Sequence, residues 1–180
     1  MKLKALFVAI LLMASCGKNK EKAQAEPSQS FESKKTAEAS KIELEVYDFK
    51  GFKKFLSLKD DKVHVINFWA TWCAPCVKEL PYFEMLNKQY AVANVEVMLV
   101  SLDFPHLYEK KLKPFIKEKK LMSKVIALDD VDMNSWIPRV DSNWSGSIPA
   151  TIIYNKDRSQ FYEQSFTYEE LENEVKKFLN

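Results

Sequence analysis

The sequence predicts an α/β domain in which helices flank a mixed central sheet. Three observations carry this. Strand-like and helix-like segments alternate from Ile42 onward. Two apolar runs, Val63–Ala70 (VHVINFWA) and Val95–Leu102 (VEVMLVSL), have the length and composition of buried strands. Thr151–Tyr154 (TIIY) and Gln160–Gln164 bracket the turn residues Asn155-Lys156-Asp157, so the last two strands are expected to be antiparallel.

In chain order, Ile42–Val46 alternates apolar and polar residues and reads as a short strand. Asp48 is a candidate cap for a helix running to about Leu58, with Phe52, Phe55 and Leu56 on one face. The strand Val63–Ala70 leads into a helix from Ala74 to Tyr90, striped by Val77, Leu80, Phe83 and Leu86. After Val95–Leu102, the segment Tyr108–Lys120 reads as an amphipathic helix that Pro114 is expected to interrupt or kink. Val125–Leu128 is a short strand and Val131–Val140 a short helix. Thr167 and Glu170 form a capping-box pattern before a last helix that carries Leu171, Val175, Phe178 and Leu179 on one face.

With 180 residues the chain has room for one domain with a full core. Hydrophobic residues make up 47% and charged residues 29%, as in soluble globular proteins. The 27 basic and 25 acidic residues leave a net charge of +2. Lys2 and Lys4 lie in a segment expected to be removed, and the remainder balances. A neutral chain has no electrostatic footprint for nucleic acid, which excludes that partner class. Three Cys and two His exclude a disulfide-dense scaffold and leave few soft metal ligands.

Met1–Lys4 is a short basic region and Ala5–Ala14 an uninterrupted apolar run. That run is about half the ~20 residues a bilayer span needs, so it reads as a secretory signal rather than a permanent span. It ends Leu12-Met13-Ala14-Ser15-Cys16-Gly17, which resembles a bacterial lipobox, with Met13 where Leu is commoner. The resemblance implies cleavage before Cys16 and acylation of Cys16, anchoring the protein to a lipid bilayer. Gly17–Lys41 is rich in Lys, Glu, Ala, Ser and Gln, with Phe31 its one aromatic residue. It is expected to be a flexible tether reaching about 25–30 Å on average. The expected organisation is a signal peptide over 1–15, a lipidated Cys and tether over 16–41, and a folded domain over 42–180.

The first strand-to-helix junction reads Phe68-Trp69-Ala70-Thr71-Trp72-Cys73-Ala74-Pro75-Cys76. Two Cys three positions apart at a helix start can close a disulfide without straining the chain. Cys73 falls at the helix N-terminus, where unpaired N–H groups and the dipole stabilise a thiolate. Cys76 lies one turn in and is expected to be more buried. Pro75 removes an N–H that the first turn leaves unpaired anyway, and Trp72 is expected to shield one side of the reactive sulfur. Structural zinc needs four ligands, and His64 and His106 are too scattered to complete the Cys pair. Cu(I) carriage by two thiolates and a His, and a purely structural disulfide, remain as other readings. No resident metal or cofactor is expected.

The segment Val65–Pro81 resembles the thioredoxin superfamily, and within it the membrane-anchored thiol-disulfide oxidoreductases of the TlpA/ResA type. Supporting residues are Pro81, five after Cys76, where the family kinks its active-site helix; Ser147-Ile148-Pro149 before the strand Thr151–Tyr154; and Glu79, three after Cys76, typical of that branch. The resemblance covers roughly Ile42–Asn180 and implies a thioredoxin-like fold. It implies that Cys73 attacks a client disulfide and that Cys76 resolves the mixed disulfide. It also implies that Pro149 is cis and presents the Ile148 backbone edge to the client. Plain thioredoxin has a buried Asp where this chain has Asn67, and a Lys where Leu99 is expected. Glu79 is therefore expected to take over part of the proton management at Cys76. The stretch between Asp103 and Ala150 is longer than a minimal thioredoxin needs. It implies an added strand and helix before the cis-proline strand, where Trp136, Trp144, Phe104 and Tyr108 are candidate recognition residues, the commoner role for any one such aromatic being to pack these additions onto the sheet.

Ala74-Pro75 lacks the His that stabilises the thiolate in strong oxidants, so the pair is expected to act as a reductant. The resemblance points the same way. It implies exported clients such as apocytochrome c or copper-site proteins, and a membrane electron donor to restore the dithiol. The domain would then face the periplasm or an equivalent extracytoplasmic space of a bacterium. A disulfide oxidase or isomerase, and a copper metallochaperone using His106, are the alternatives.

Overall fold

A computed structural model describes residues 42–179. The expected signal peptide, Cys16 and tether lie outside the described residues. Six strands form one sheet: β1 (Glu45–Tyr47), β2 (Val63–Trp69), β3 (Val95–Ser101), β4 (Lys124–Leu128), β5 (Ala150–Tyr154) and β6 (Ser159–Tyr162). The helices are α1 (Phe49–Phe52), α2 (Ala74–Tyr90), α3 (Lys113–Lys119), α4 (Met133–Val140) and α5 (Tyr168–Lys176). The strand order is β1-β4-β3-β2-β5-β6. Strands β1 to β4 pair in parallel, β5 runs antiparallel to β2, and β6 antiparallel to β5.

Every residue of β2 is buried, because the period-2 alternation supplies apolar side chains to both faces. Val63, Val65 and Trp69 face a core with Leu80, Phe83 and Leu86 of α2, Ile116 of α3, and Leu171 and Val175 of α5. Ile66 and Phe68 face the opposite core, with Phe49 and Phe52 of α1, Trp136 and Val140 of α4, and Trp144. The result is the mixed α/β sandwich expected from the alternation of elements. The stretch after β3 supplies β4, which sits between β3 and β1, and α4, which covers the second face. Among the described residues no helix is long and apolar enough to cross a membrane.

Some details differ from the sequence expectation. The helix after Asp48 is one α turn followed by a 3-10 turn over Lys53–Leu56. Asp48 does cap it, accepting from the Gly51 N–H at 2.7 Å. Glycine inside a helix costs about 1 kcal/mol relative to Ala, yet a Cβ on Gly51 would lie 3.1 Å from Tyr47, so the tight start favours Gly and a short helix. Tyr108–Leu112 forms a wide π turn before α3. Pro114 sits in the first turn of α3, and the wide turn relieves the clash its ring makes with a carbonyl four residues back. Leu179 is exposed, because α5 ends at Lys176 and the helical stripe does not reach it. Trp136, Trp144 and Tyr108 are buried against the sheet and are packing residues, whereas Phe104 is exposed.

Candidate active site

The site lies where the sheet changes direction. At the carboxyl end of β2, β3 continues in parallel on one side and β5 is antiparallel on the other. Phe68 pairs with Ala150, so the loop after β2 and the residues before β5 meet. Ligand and reaction sites in α/β sheets collect at such points.

Cys73 and Cys76 are joined as a disulfide with their Cα atoms 5.3 Å apart. Cys73 is the N-cap of α2, and its sulfur accepts from the Cys76 N–H at 3.3 Å. The same N–H and its neighbours would face a thiolate on Cys73 after reduction. Cys73 is 6% exposed and Cys76 0%, so Cys73 is the less buried of the pair. Pro75 is in the first turn of α2, and Pro81 lies inside the helix, where it cannot donate to the Val77 carbonyl.

The Ile148–Pro149 peptide is cis. Cys73 Sγ lies 3.7 Å from the Ile148 carbonyl oxygen; in the disulfide this is a contact, and a thiol there would have a proton to donate. The loop is braced from two sides. The Trp144 indole N–H donates to the Ser147 carbonyl at 2.8 Å. Glu163 accepts from the Ser145 N–H at 3.1 Å, the Ser147 N–H at 3.0 Å and the Ser145 hydroxyl. The Ser145 hydroxyl and these amides hold the Glu163 carboxyl below its ordinary range.

Glu79 is not a solvated helix residue: it is 1% exposed. Its two oxygens accept from the Asn67 side-chain amide at 3.0 Å and from the Phe166 N–H at 2.8 Å. Burial pushes its carboxyl up to about 7, and the two hydrogen bonds only partly offset this. Asn67 also donates to Thr151 Oγ1 at 3.1 Å, while its own side-chain oxygen has no partner among the described residues. Leu99 lies opposite Asn67 on β3, so no cation faces the amide from that position.

A second buried carboxylate escaped sequence reasoning. Asp103 is 2% exposed and follows β3. It accepts from the Thr71 N–H at 3.0 Å, the Thr71 hydroxyl at 2.5 Å and the Ser101 hydroxyl at 2.8 Å. It thereby holds the loop that leads into Cys73. The signal in the sequence is faint: a Ser-x-Asp at the end of one buried strand and a Thr just after the other. Trp72 turns away from the core, 55% exposed, and stacks on Phe104.

Among the described residues no compact group of metal-type side chains combines a His with the Cys pair. Among the described residues, the one compact group of three metal-type side chains is Asp60, His64 and Glu96. His64 lies near the start of β2, the end remote from Cys73, bonded to Asp60 at 2.8 Å and stacked on Tyr154. A groove of about 990 Å³ runs along α2 and α3 past Leu80, Met85, Phe115 and Met122 and includes neither Cys. Exchange at sulfur needs an accessible edge rather than a cavity.

The AhpC/TSA family model matches residues 30–159, most of the chain. The chain belongs to the AhpC/TSA family. Within this thioredoxin-like group, it is 32% identical over 142 residues to the thiol-disulfide oxidoreductase ResA of Bacillus thuringiensis subsp. konkukian, covering 78% of this chain and 70% of that one. It is 32% identical over 120 residues to a ResA of Bacillus cereus, covering 67% of this chain and 57% of that relative. A solved thioredoxin-family thiol:disulfide interchange protein from Chlorobium tepidum TLS superposes with a TM-score of 0.57 at 20% identity, covering 67% of this chain and 81% of that one. That likeness concerns the fold. This AhpC/TSA member is a thioredoxin-like thiol-disulfide oxidoreductase.

Proposed function

We propose that the protein is an exported, lipid-anchored disulfide reductase that acts on exported client proteins through Cys73 and Cys76. The observation that carries the reading is the Cys73–Cys76 disulfide at the N-terminus of α2, with its less buried sulfur against the cis Ile148–Pro149 loop. The relatives' name supplies the reaction class, and the lipobox-like segment ending at Cys16 supports export and anchoring.

In the reduced protein the Cys73 thiolate attacks one sulfur of a client disulfide. A Cys73–client disulfide forms, and the other client sulfur leaves as a thiolate that takes a proton. Cys76 then loses its proton and attacks the Cys73 sulfur. The Cys73–Cys76 bond forms and the second client thiol is released. Two electrons pass to the client, with one proton from Cys76 and one from solvent. Glu79 is the nearby group suited to hold the Cys76 proton: it lies one turn further along α2, is buried, and has its carboxyl pushed up to about 7. Asn67 orients Glu79, and Pro149, which has no N–H, leaves the Ile148 backbone edge as the client's pairing partner. A dithiol donor in the membrane would return the pair to its reduced form.

The test is trapping. Incubated with a disulfide client, the reduced Cys76→Ser protein should accumulate a mixed disulfide on Cys73, and the Cys73→Ser protein should accumulate none. A mixed disulfide on Cys76 of the Cys73→Ser protein, with none on Cys73, would reverse the assignment.

A further inference from the structure

The loops after β2 and β3 leave the sheet side by side, because the two strands are parallel neighbours and Trp69 pairs with Ser101. The Asp103 carboxylate ties them together through Thr71. The next residue along each loop is aromatic and exposed: Trp72 at 55% and Phe104 at 56%. Their rings stack at 6.4 Å with 20° between planes, and His106 continues the stack at 5.8 Å and 16°. Phe104 is extended, as a residue before proline must be, and its carbonyl accepts from the Leu107 N–H at 2.8 Å. Three rings therefore stand in a row, fixed at their base by a buried clamp. The row begins at the residue next to Cys73.

We propose that the Trp72–Phe104–His106 ladder is a client-recognition surface that takes an aromatic side chain flanking the client's reactive cysteine. This rests on the thiol-disulfide exchange reading above. A contiguous exposed aromatic surface continuous with a reactive sulfur marks an interaction site more strongly than scattered apolar residues do. Its rings are already ordered, so binding costs little side-chain entropy. Near-parallel rings present faces and edges on which a further ring can stack. The carboxylate at the base of the ladder, Asp103, is buried and accepts three hydrogen bonds, so it offers nothing to a cationic side chain.

The experiment uses the full chain with Cys76→Ser, so that attack by Cys73 stops at the mixed disulfide. Three symmetrical peptide disulfides are compared, identical except for Trp, Ser or Arg beside the cysteine. Attack forms one Cys73–peptide disulfide and releases one peptide thiol. The Trp peptide is expected to react about threefold to tenfold faster than the Ser peptide, and the Arg peptide no faster than the Ser peptide. Adding Phe104→Ser is expected to bring the Trp-to-Ser ratio close to one. Adding Val92→Ser, at an exposed site outside the ladder, is expected to leave the ratio intact. The reduction potential of Phe104→Ser with both Cys present should match the parent, so that a lost ratio is not lost thiol chemistry. Equal rates, an Arg preference, or a ratio that survives Phe104→Ser overturns this proposal alone. No mixed disulfide with any peptide overturns the exchange reading and this proposal with it.

Discussion

Asn67 donates its side-chain amide to Glu79 at 3.0 Å, inside the core and with no cation on the neighbouring strand to balance the carboxylate. Burial therefore governs Glu79 and holds its carboxyl up at about 7. In the unfolded chain the same group titrates near 4.3. Between those values the folded protein keeps a proton that the unfolded chain has lost. This contribution to stability is complete below about pH 4 and is lost as the pH rises through about 7, at up to about 4 kcal/mol. Glu79→Gln removes the dependence, and turning the Asn67 amide would give its unpartnered oxygen a donor. Chemical denaturation from pH 4 to 8 should show a falling stability for the parent and a flatter profile for Glu79→Gln. Parallel profiles would contradict the buried, proton-holding role.

The Thr71–Asp103 clamp replaces three water contacts with three internal hydrogen bonds. Asp103→Ala leaves the Thr71 N–H and two hydroxyls without their acceptor in a buried place. The expected loss is about 2–4 kcal/mol of unfolding free energy. Thr71→Val, which keeps the backbone bond and removes the hydroxyl, should lose about 1–2 kcal/mol. Denaturant midpoints of the two variants decide it, and a neutral Asp103→Ala would show that the clamp contributes nothing.

Glu163 reaches across from beyond β6 to hold Ser145 and Ser147, the residues that lead into the cis peptide. Its carboxyl, held below the ordinary range mainly by the Ser145 hydroxyl, stays charged wherever the pH is above that lowered value. The brace is therefore present at neutral pH and lost only in acid. Glu163→Ala is expected to lower the rate of mixed-disulfide formation with a peptide disulfide by about tenfold, through misplacement of the Ile148 edge. It should leave the reduction potential unchanged, because Glu163 bonds to the loop and not to either sulfur. A changed potential with an unchanged rate would contradict the brace.

Thr167 and Glu170 form a reciprocal capping box at the start of α5. Thr167→Ala is expected to cost about 1 kcal/mol, seen as a lower denaturation midpoint with an unchanged denaturant slope.

What is legible in the sequence is local. The strand β2, the Cys73 cap and α2 follow from period-2 burial, a Cys-Ala-Pro-Cys start and a helical stripe, all within a short window. The α5 cap is legible for the same reason. The π turn at Tyr108 and the shortened α1 are not, because propensity does not tell how a chain absorbs Pro114 or Gly51 under tertiary packing. The aromatic residues are ambiguous in the sequence between recognition and packing, and Trp136 and Trp144 pack, filling the core with α4. The polar supports of the site are the least legible. Thr71 meets Asp103 across 32 residues, and Glu79 meets the backbone of Phe166 across 87. A backbone N–H carries no residue identity, so nothing in the sequence marks Phe166 as the partner of Glu79.

The central claim is that the Cys73/Cys76 pair gives electrons to clients rather than taking them. Its most direct test is the reduction potential of the pair, followed through the fluorescence of Trp72 and the buried Trp69 in a redox titration. The reductase account predicts a value near or below about −250 mV, close to thioredoxin at about −270 mV. A value near about −120 mV, in the range of strong disulfide oxidants, would contradict it and make disulfide formation the function of the site.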